Sequence, residues 1–228
     1  MVRAKICGVT NETDLEVVER AGADAVGIIA NVSVDTPREV SVEKAVRLVE
    51  AAPPFLTATL VTMPETPDRA IALGERVNPD VLQVHSGFGP DAFAGIRESI
   101  RGSVVAVVDA EAPERAREVA PTVDGVLVDS VDSDGAGGTG ETHDWAATAE
   151  VASTLDAPVI LAGGLDPGNV AEAVRTVRPF AVDVASGVEV SGGSKDPEAV
   201  RTFVQYAKRA SERGADADES TGLEGVSS

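Results

Sequence analysis

A chain of 228 residues with 43% hydrophobic content carries enough apolar material for one sizeable core, which excludes wholesale disorder. Its 38 acidic residues against 19 basic ones, a formal net charge of −19, exclude a nucleic-acid partner, because phosphate backbones select basic patches. One cysteine and two histidines exclude an internal disulfide and a Cys/His zinc cluster, and no apolar run reaches the ~18 residues of a membrane helix.

Taken in chain order, the first apolar run is 4–7, ending in Cys7 and Gly8, after which Thr10 or Asn11 can cap a helix over 11–21. A second run at 25–29 leads through the loop ANVSVDTPREVS to helical spacing over 41–51, with Ser41 as its cap. Runs at 55–61, 81–84 and 104–108 then alternate with helical segments at 66–77, 91–101 and 113–119. The sixth run, GVLVDS, covers 125–129 as a strand and ends on Asp129, and a helix over 145–155 follows the Gly-rich stretch. Strand 159–161 precedes LAGGLDPGNV and a helix over 167–177 with Pro167 in its first turn, and strand 181–184 precedes a helix over 196–210. The runs are short, β-branched and apolar on both faces, as parallel strands covered on both sides must be.

Eight such strand–helix units predict a single-domain (β/α)8 TIM barrel over residues 1–210, with a large doubly wound sheet as the alternative. The acidic, Gly/Ser-rich stretch 211–228 lacks periodicity and is expected to be a disordered tail. No basic segment with an apolar core opens the chain, so a cytoplasmic setting is expected.

In a barrel, chemistry gathers at the C-terminal strand ends and the loops behind them. Cys7 ends the first strand and Asp129 the sixth, so a thiol and a carboxylic acid can face one ligand from two directions. Gly163 and Gly164 after the seventh strand, with Ser186 and Gly187 after the eighth, form paired turns of the kind that cradle phosphate. The partner these features imply is a phosphorylated small molecule.

Four stretches, VRAKICGVTNETDL, VLVDS…GGTGETHDW, LAGGLDPGNV and RPFAVDVASGVE, occur in order and resemble the phosphoribosylanthranilate isomerase family of tryptophan biosynthesis, from residue 2 to about 208. The resemblance implies an Amadori rearrangement of N-(5-phosphoribosyl)anthranilate to 1-(2-carboxyphenylamino)-1-deoxyribulose 5-phosphate, with no metal or organic cofactor. It implies Asp129 as general acid on the furanose oxygen and Cys7 as general base at C2′. It also implies Arg38 on the anthranilate carboxylate, with His85 and Asp183 close to the substrate. Three features depart from the family: the loop before Arg38 lacks its usual aromatic run, Ser86 replaces a glycine, and Glu141 stands where lysine is common.

Other phosphosugar barrels fit less well. A synthase reading wants catalytic lysines at strand ends, and Lys5 lies inside a strand; an epimerase reading wants more histidines for metal. A barrel that binds a phosphorylated metabolite as a sensor, without turnover, remains the non-enzyme alternative. The oligomeric expectation is a monomer or homodimer.

Acids spread along the whole chain, with only four lysines, point to a salt-rich cytoplasm, where acidic surfaces preserve solubility. The unfolding midpoint and the activity should therefore both rise steeply from dilute buffer to molar KCl. Full stability in dilute buffer would contradict that origin.

Overall fold

The computed structural model describes residues 1–129 and 144–221, with side chains to Glu212. The GGTG stretch, Glu141 and residues 222–228 lie outside the described residues. Eight parallel strands close into a barrel in sequence order: β1 (Arg3–Cys7), β2 (Ala25–Ile29), β3 (Thr57–Thr62), β4 (Val81–Val84), β5 (Ser103–Asp109), β6 (Gly125–Asp129), β7 (Val159–Leu161) and β8 (Ala181–Val184). Ring closure comes from β1, which pairs with β2 through Cys7 and Gly27 and with β8 through Lys5 and Asp183.

Helices fill the outer layer: α1 (Glu12–Arg20), α2 (Val42–Ala51), α3 (Pro67–Val77), α4 (Pro90–Ser99), α5 (Pro113–Val119), α6 (Trp145–Thr154), α7 (Val170–Val177) and α8 (Pro197–Thr221). Local chemistry starts several of them. Asn11 accepts from the Asp14 amide at the head of α1, Ser41 accepts from the Lys44 amide at α2, and Thr66 accepts from the Arg69 amide at α3. Proline occupies the first turn of α3, α4 and α5, where no intrahelical N–H partner is lost. No helix among the described residues is long and apolar enough to cross a membrane.

Strand alternation sorts the core into two places. Ala4, Ile6, Val26, Ala58, Val182 and Val184 face outward and join one cluster with Phe203 and Val200 of α8. Inside the ring, Val105, Val107, Leu127 and Ala162 fill one side, while Lys5, Gln83 and Asp183 are buried on the other. The interior is thus a packed plug, apolar on one side and ionic on the other. The catalytic end can only be the open rim above it.

The structure departs from the sequence-based reading in four places. β3 begins at Thr57, not 55: Leu56 closes a turn by donating to the Pro53 carbonyl, and Phe55 is left 100% exposed. Pro167 lies ahead of α7 rather than in it. Asp166 Oδ1 accepts from the Gly168 and Asn169 amides, and this turn delays the helix to Val170. A short antiparallel hairpin, β9 (Glu189–Ser191) and β10 (Ser194–Lys195), precedes α8 and was not anticipated. At the other end α8 carries helical backbone to Thr221, into the stretch expected to be irregular.

Phe203 of α8 is fully buried in the cluster that covers β1 and β8. Phe203→Ala should lower unfolding free energy by about 3–5 kcal/mol, a large-to-small core loss, in denaturant titrations at high salt.

Candidate active site

A cavity of about 750 Å³ opens at the C-terminal rim. Eight of the nine residues singled out from sequence line it: Cys7, Arg38, His85, Asp129, Gly163, Gly164, Asp183 and Ser186. Followed round the ring from β6 to β2, Asp129 comes first, then the Gly163–Gly164 turn, then Asp183 and Ser186, then Cys7, then Arg38. Five consecutive strands therefore carry the set. His85 stands apart, just past β4.

Gly187 does not line the cavity. A Cβ there would come within 2.0 Å of the Leu165 carbonyl oxygen, so this glycine lets the loops after β7 and β8 touch. Gly163 and Gly164 take φ of 88° and 60°, a left-handed backbone that glycine alone adopts without strain, and they turn the chain along the cavity wall.

Cys7 is 6% exposed and Asp129 7% exposed, each ending its strand. The thiol fits because its strand partner is Gly27, where a Cβ would lie 2.7 Å from the Cys7 sulfur. Directly below, Lys5 projects to the same side of β1, two residues earlier. Its ammonium donates to Asp183 Oδ2 at 2.7 Å and to Gln83 Oε1 at 2.9 Å, and Gln83 in turn contacts His85 Nε2 at 3.2 Å. A polar chain thus runs from β8 through β1 to β4 along the cavity floor. Asp183 Oδ1, also buried, has no hydrogen-bond partner among the described residues.

Charge and burial compete here. Burial by itself would lower the Lys5 pKa, but the negative charges of Asp183 and Cys7 outweigh it and hold the ammonium charged. For Cys7, burial is the largest influence and pushes the thiol above its ordinary 9.0; Asp183 adds to this, while Lys5 and Lys195 pull it partly back. His85 is lowered to about 4, by burial first and then by the Lys5 charge, so its ring is neutral near pH 7. A neutral imidazole can accept or donate a hydrogen bond, but it holds no spare proton to act as a strong acid.

Arg38 reaches the cavity from the loop after β2, where its guanidinium donates from Nε and one terminal nitrogen to both oxygens of Glu189, at 2.9 and 2.8 Å. Lys195 donates to the same carboxylate at 2.7 Å. Sequence reasoning missed Lys5 as a neighbour of Cys7, and it missed Gly27, Glu189 and Lys195 altogether. The first was legible, since residues two apart on a strand share a face. The others depend on contacts between distant segments.

The chain matches the family model for N-(5′-phosphoribosyl)anthranilate isomerase over residues 4–206. An isomerase of that name from Haloferax volcanii is 60% identical over 215 residues, covering 94% of this chain and 96% of the relative. The corresponding enzyme from Haloarcula marismortui is 53% identical, covering 93% and 99%. Among solved structures, phosphoribosyl anthranilate isomerase from Thermotoga maritima superposes with a TM-score of 0.81 at 33% identity, covering 92% of this chain and all of that one. A phosphoribosyl anthranilate isomerase in complex with reduced 1-(o-carboxyphenylamino)-1-deoxyribulose 5-phosphate gives 0.79 at 32% identity, again covering 92% and 100%.

Because Cys7 is the only cysteine, alkylation reports on it alone. Its reaction with iodoacetamide should reach half its limiting rate above pH 9.0, the value of an unperturbed thiol here. A midpoint at or below 9.0 would mean that Lys5 and Lys195 outweigh burial.

Proposed function

The chain belongs to the N-(5′-phosphoribosyl)anthranilate isomerase family, and on that premise we infer which residues carry the rearrangement and how. The reaction turns N-(5-phosphoribosyl)anthranilate into 1-(2-carboxyphenylamino)-1-deoxyribulose 5-phosphate in tryptophan biosynthesis. C1′ is reduced and C2′ is oxidised within one molecule, so the chemistry is proton movement alone.

Asp129 delivers a proton to the furanose oxygen as the C1′–O bond breaks, and the anthranilate nitrogen lone pair forms the Schiff base. Cys7, as thiolate, takes the proton from C2′, and the released electron pair flows to the nitrogen to give the enolamine. Proton gain at C1′ and loss from the C2′ hydroxyl then yield the ketone. The observation that carries this reading is the placement of Cys7 and Asp129 on one cavity, at the ends of β1 and β6, with the positive-φ glycine pair between them on the ring. Acid and base approach from different sides, so neither need move during turnover.

Gly163, Gly164 and Ser186 would hold the phosphate with backbone and hydroxyl donors. Arg38, beyond Cys7 on the ring, would meet the carboxylate of the anthranilate by charge-assisted hydrogen bonds. Asp183 Oδ1, buried and unpartnered among the described residues, is an acceptor suited to a ribose hydroxyl. His85 would take a hydrogen-bonding place at the far wall. The thiolate form of Cys7 is favoured by the Lys5 and Lys195 ammonium groups and opposed by burial, so the charge of an anionic substrate is balanced by Arg38 at the rim and these two buried lysines. We place the enzyme in a saline cytoplasm, as a monomer or homodimer, on the acidity of the chain and its likeness to relatives from salt-loving archaea.

Turnover is read as the loss of substrate fluorescence by purified protein in molar KCl. Cys7→Ala and Asp129→Asn should each lower kcat by at least ~100-fold with an unchanged circular-dichroism spectrum, since each removes one proton-transfer partner. Near-normal turnover in either variant would remove that residue from the mechanism.

A further inference from the structure

Arg38 is the one cation that lines the cavity among its described residues, and it is already engaged. Its Nε and one terminal nitrogen form a two-pronged pair with Glu189, whose side chain is 4% exposed against 20% for Arg38. Lys195, with a fully buried side chain, binds the same carboxylate and also donates to the Ala185 carbonyl at 3.1 Å. The half-buried Arg38 and the buried Lys195 thus share one anion, leaving a net positive charge among these three side chains at this corner of the rim.

The hairpin that carries Glu189 and Lys195 is itself fastened in place. At its tip, a Cβ on Gly192 would strike the Pro37 ring at 2.7 Å, and one on Gly193 would strike the Pro37 carbonyl oxygen at 2.7 Å. Thr10 Oγ1 donates to the Gly193 carbonyl from the loop after β1. On the other flank of the guanidinium stem, a Cβ on Gly8 would lie 2.7 Å from Arg38 Cδ. The hairpin tip therefore rests on the residue before Arg38, while the β1 loop lies under its stem.

We infer that Glu189, anchored by Lys195, is the positioning residue for Arg38: it grips the guanidinium by one edge and leaves the outer nitrogen to receive the carboxylate of the substrate. This rests on the assignment of Arg38 to that carboxylate. A guanidinium held on one edge loses little further freedom when a second carboxylate arrives, so the fork is preorganised for a planar anion. A free arginine on a mobile loop would bind the same group with a larger entropic cost. Lys195 serves as counter-charge: with Glu189 answering only Arg38, Lys195 would be an unpaired buried ammonium. Burial acts to raise the Glu189 carboxyl, but hydrogen bonds and charge from Arg38 and Lys195 outweigh it and hold it below its ordinary range, so the grip persists at neutral pH.

The test compares two ligands and four full-length proteins in molar KCl. The ligands are reduced 1-(2-carboxyphenylamino)-1-deoxyribulose 5-phosphate and its counterpart without the ring carboxylate; turnover is measured alongside. The proteins are wild type, Glu189→Gln, the paired variant Glu189→Leu with Lys195→Met, and Arg38→Ala. The paired variant removes both buried charges together and so avoids a stranded ammonium. Both Glu189 variants should weaken the carboxylated ligand and raise KM by roughly 10-fold or more, the scale of one charge-assisted hydrogen bond. Affinity for the ligand without the carboxylate in both variants, and kcat in Glu189→Gln, should change less than about threefold, as expected when binding common to ground and transition states is lost. Equal weakening of both ligands, or an unchanged KM in folded variants, would overturn the positioning role. Arg38→Ala separates the two readings. If it fails to discriminate between the ligands, the assignment of Arg38 itself falls; if it discriminates and the Glu189 variants do not, only the role of Glu189 falls.

Discussion

The buried pair between Lys5 and Asp183 stands at the seam where the first strand meets the last. The two residues are 178 positions apart in sequence yet are register partners across β1 and β8, with Nζ 2.7 Å from Oδ2. A parallel barrel must close at that seam, and one slipped residue there would turn the lysine outward and leave the aspartate alone in the interior. Such a pair is weak evidence for net stability, since an apolar replacement of both partners is often as stable. Its consequence is specificity of register, and with it the height at which Cys7 meets the rim. The same ammonium sets the charge beneath the thiol and, through Gln83, ties in His85.

From this seam the rest of the site follows by geometry. Alternation places Cys7 above Lys5, and the glycine opposite makes room for sulfur where a methyl group would collide. Asp129 ends the strand reached by going back through β8 and β7, so acid and base flank the loops that carry Gly163, Gly164 and Ser186. The apolar half of the interior, built on Val105, Val107 and Leu127, has no reacting role. It keeps water from the floor and raises the cost of every unpaired charge, which is why the polar half is so thoroughly cross-bonded.

Charge is distributed with the same logic. A protein of net charge −19 whose family acts on an anionic substrate needs local positive potential at the rim. Only four lysines occur in the chain, and two of them, Lys5 and Lys195, are buried under the site at 6% and 3% exposure. The outer surface carries the acids that suit strong salt, while compact ammonium groups sit where a fixed point charge is needed. Salt screens the exposed acids far more than the enclosed cations, so the two charge systems operate with little interference.

The sequence by itself determined the barrel and most of its rim. Eight short apolar runs separated by capped helical spacing allow few other folds, and in a parallel barrel the C-terminal strand ends and the loops behind them form the mouth. That rule alone placed Cys7, Asp129, the Gly163–Gly164 turn and Ser186, all of which line the cavity. What the sequence could not carry was anything resting on pairing between distant segments. The close approach of Gly187 to Leu165 was not visible in the sequence, and Pro167 looked like a helix start and proved to precede one. Lys5 facing Asp183, Gly27 facing Cys7 and Glu189 gripping Arg38 were all decided by closure of the ring and by the hairpin folding back over the β2 loop. Periodicity reports which face a residue occupies, whereas only the closed tertiary structure brings a chosen partner to that face.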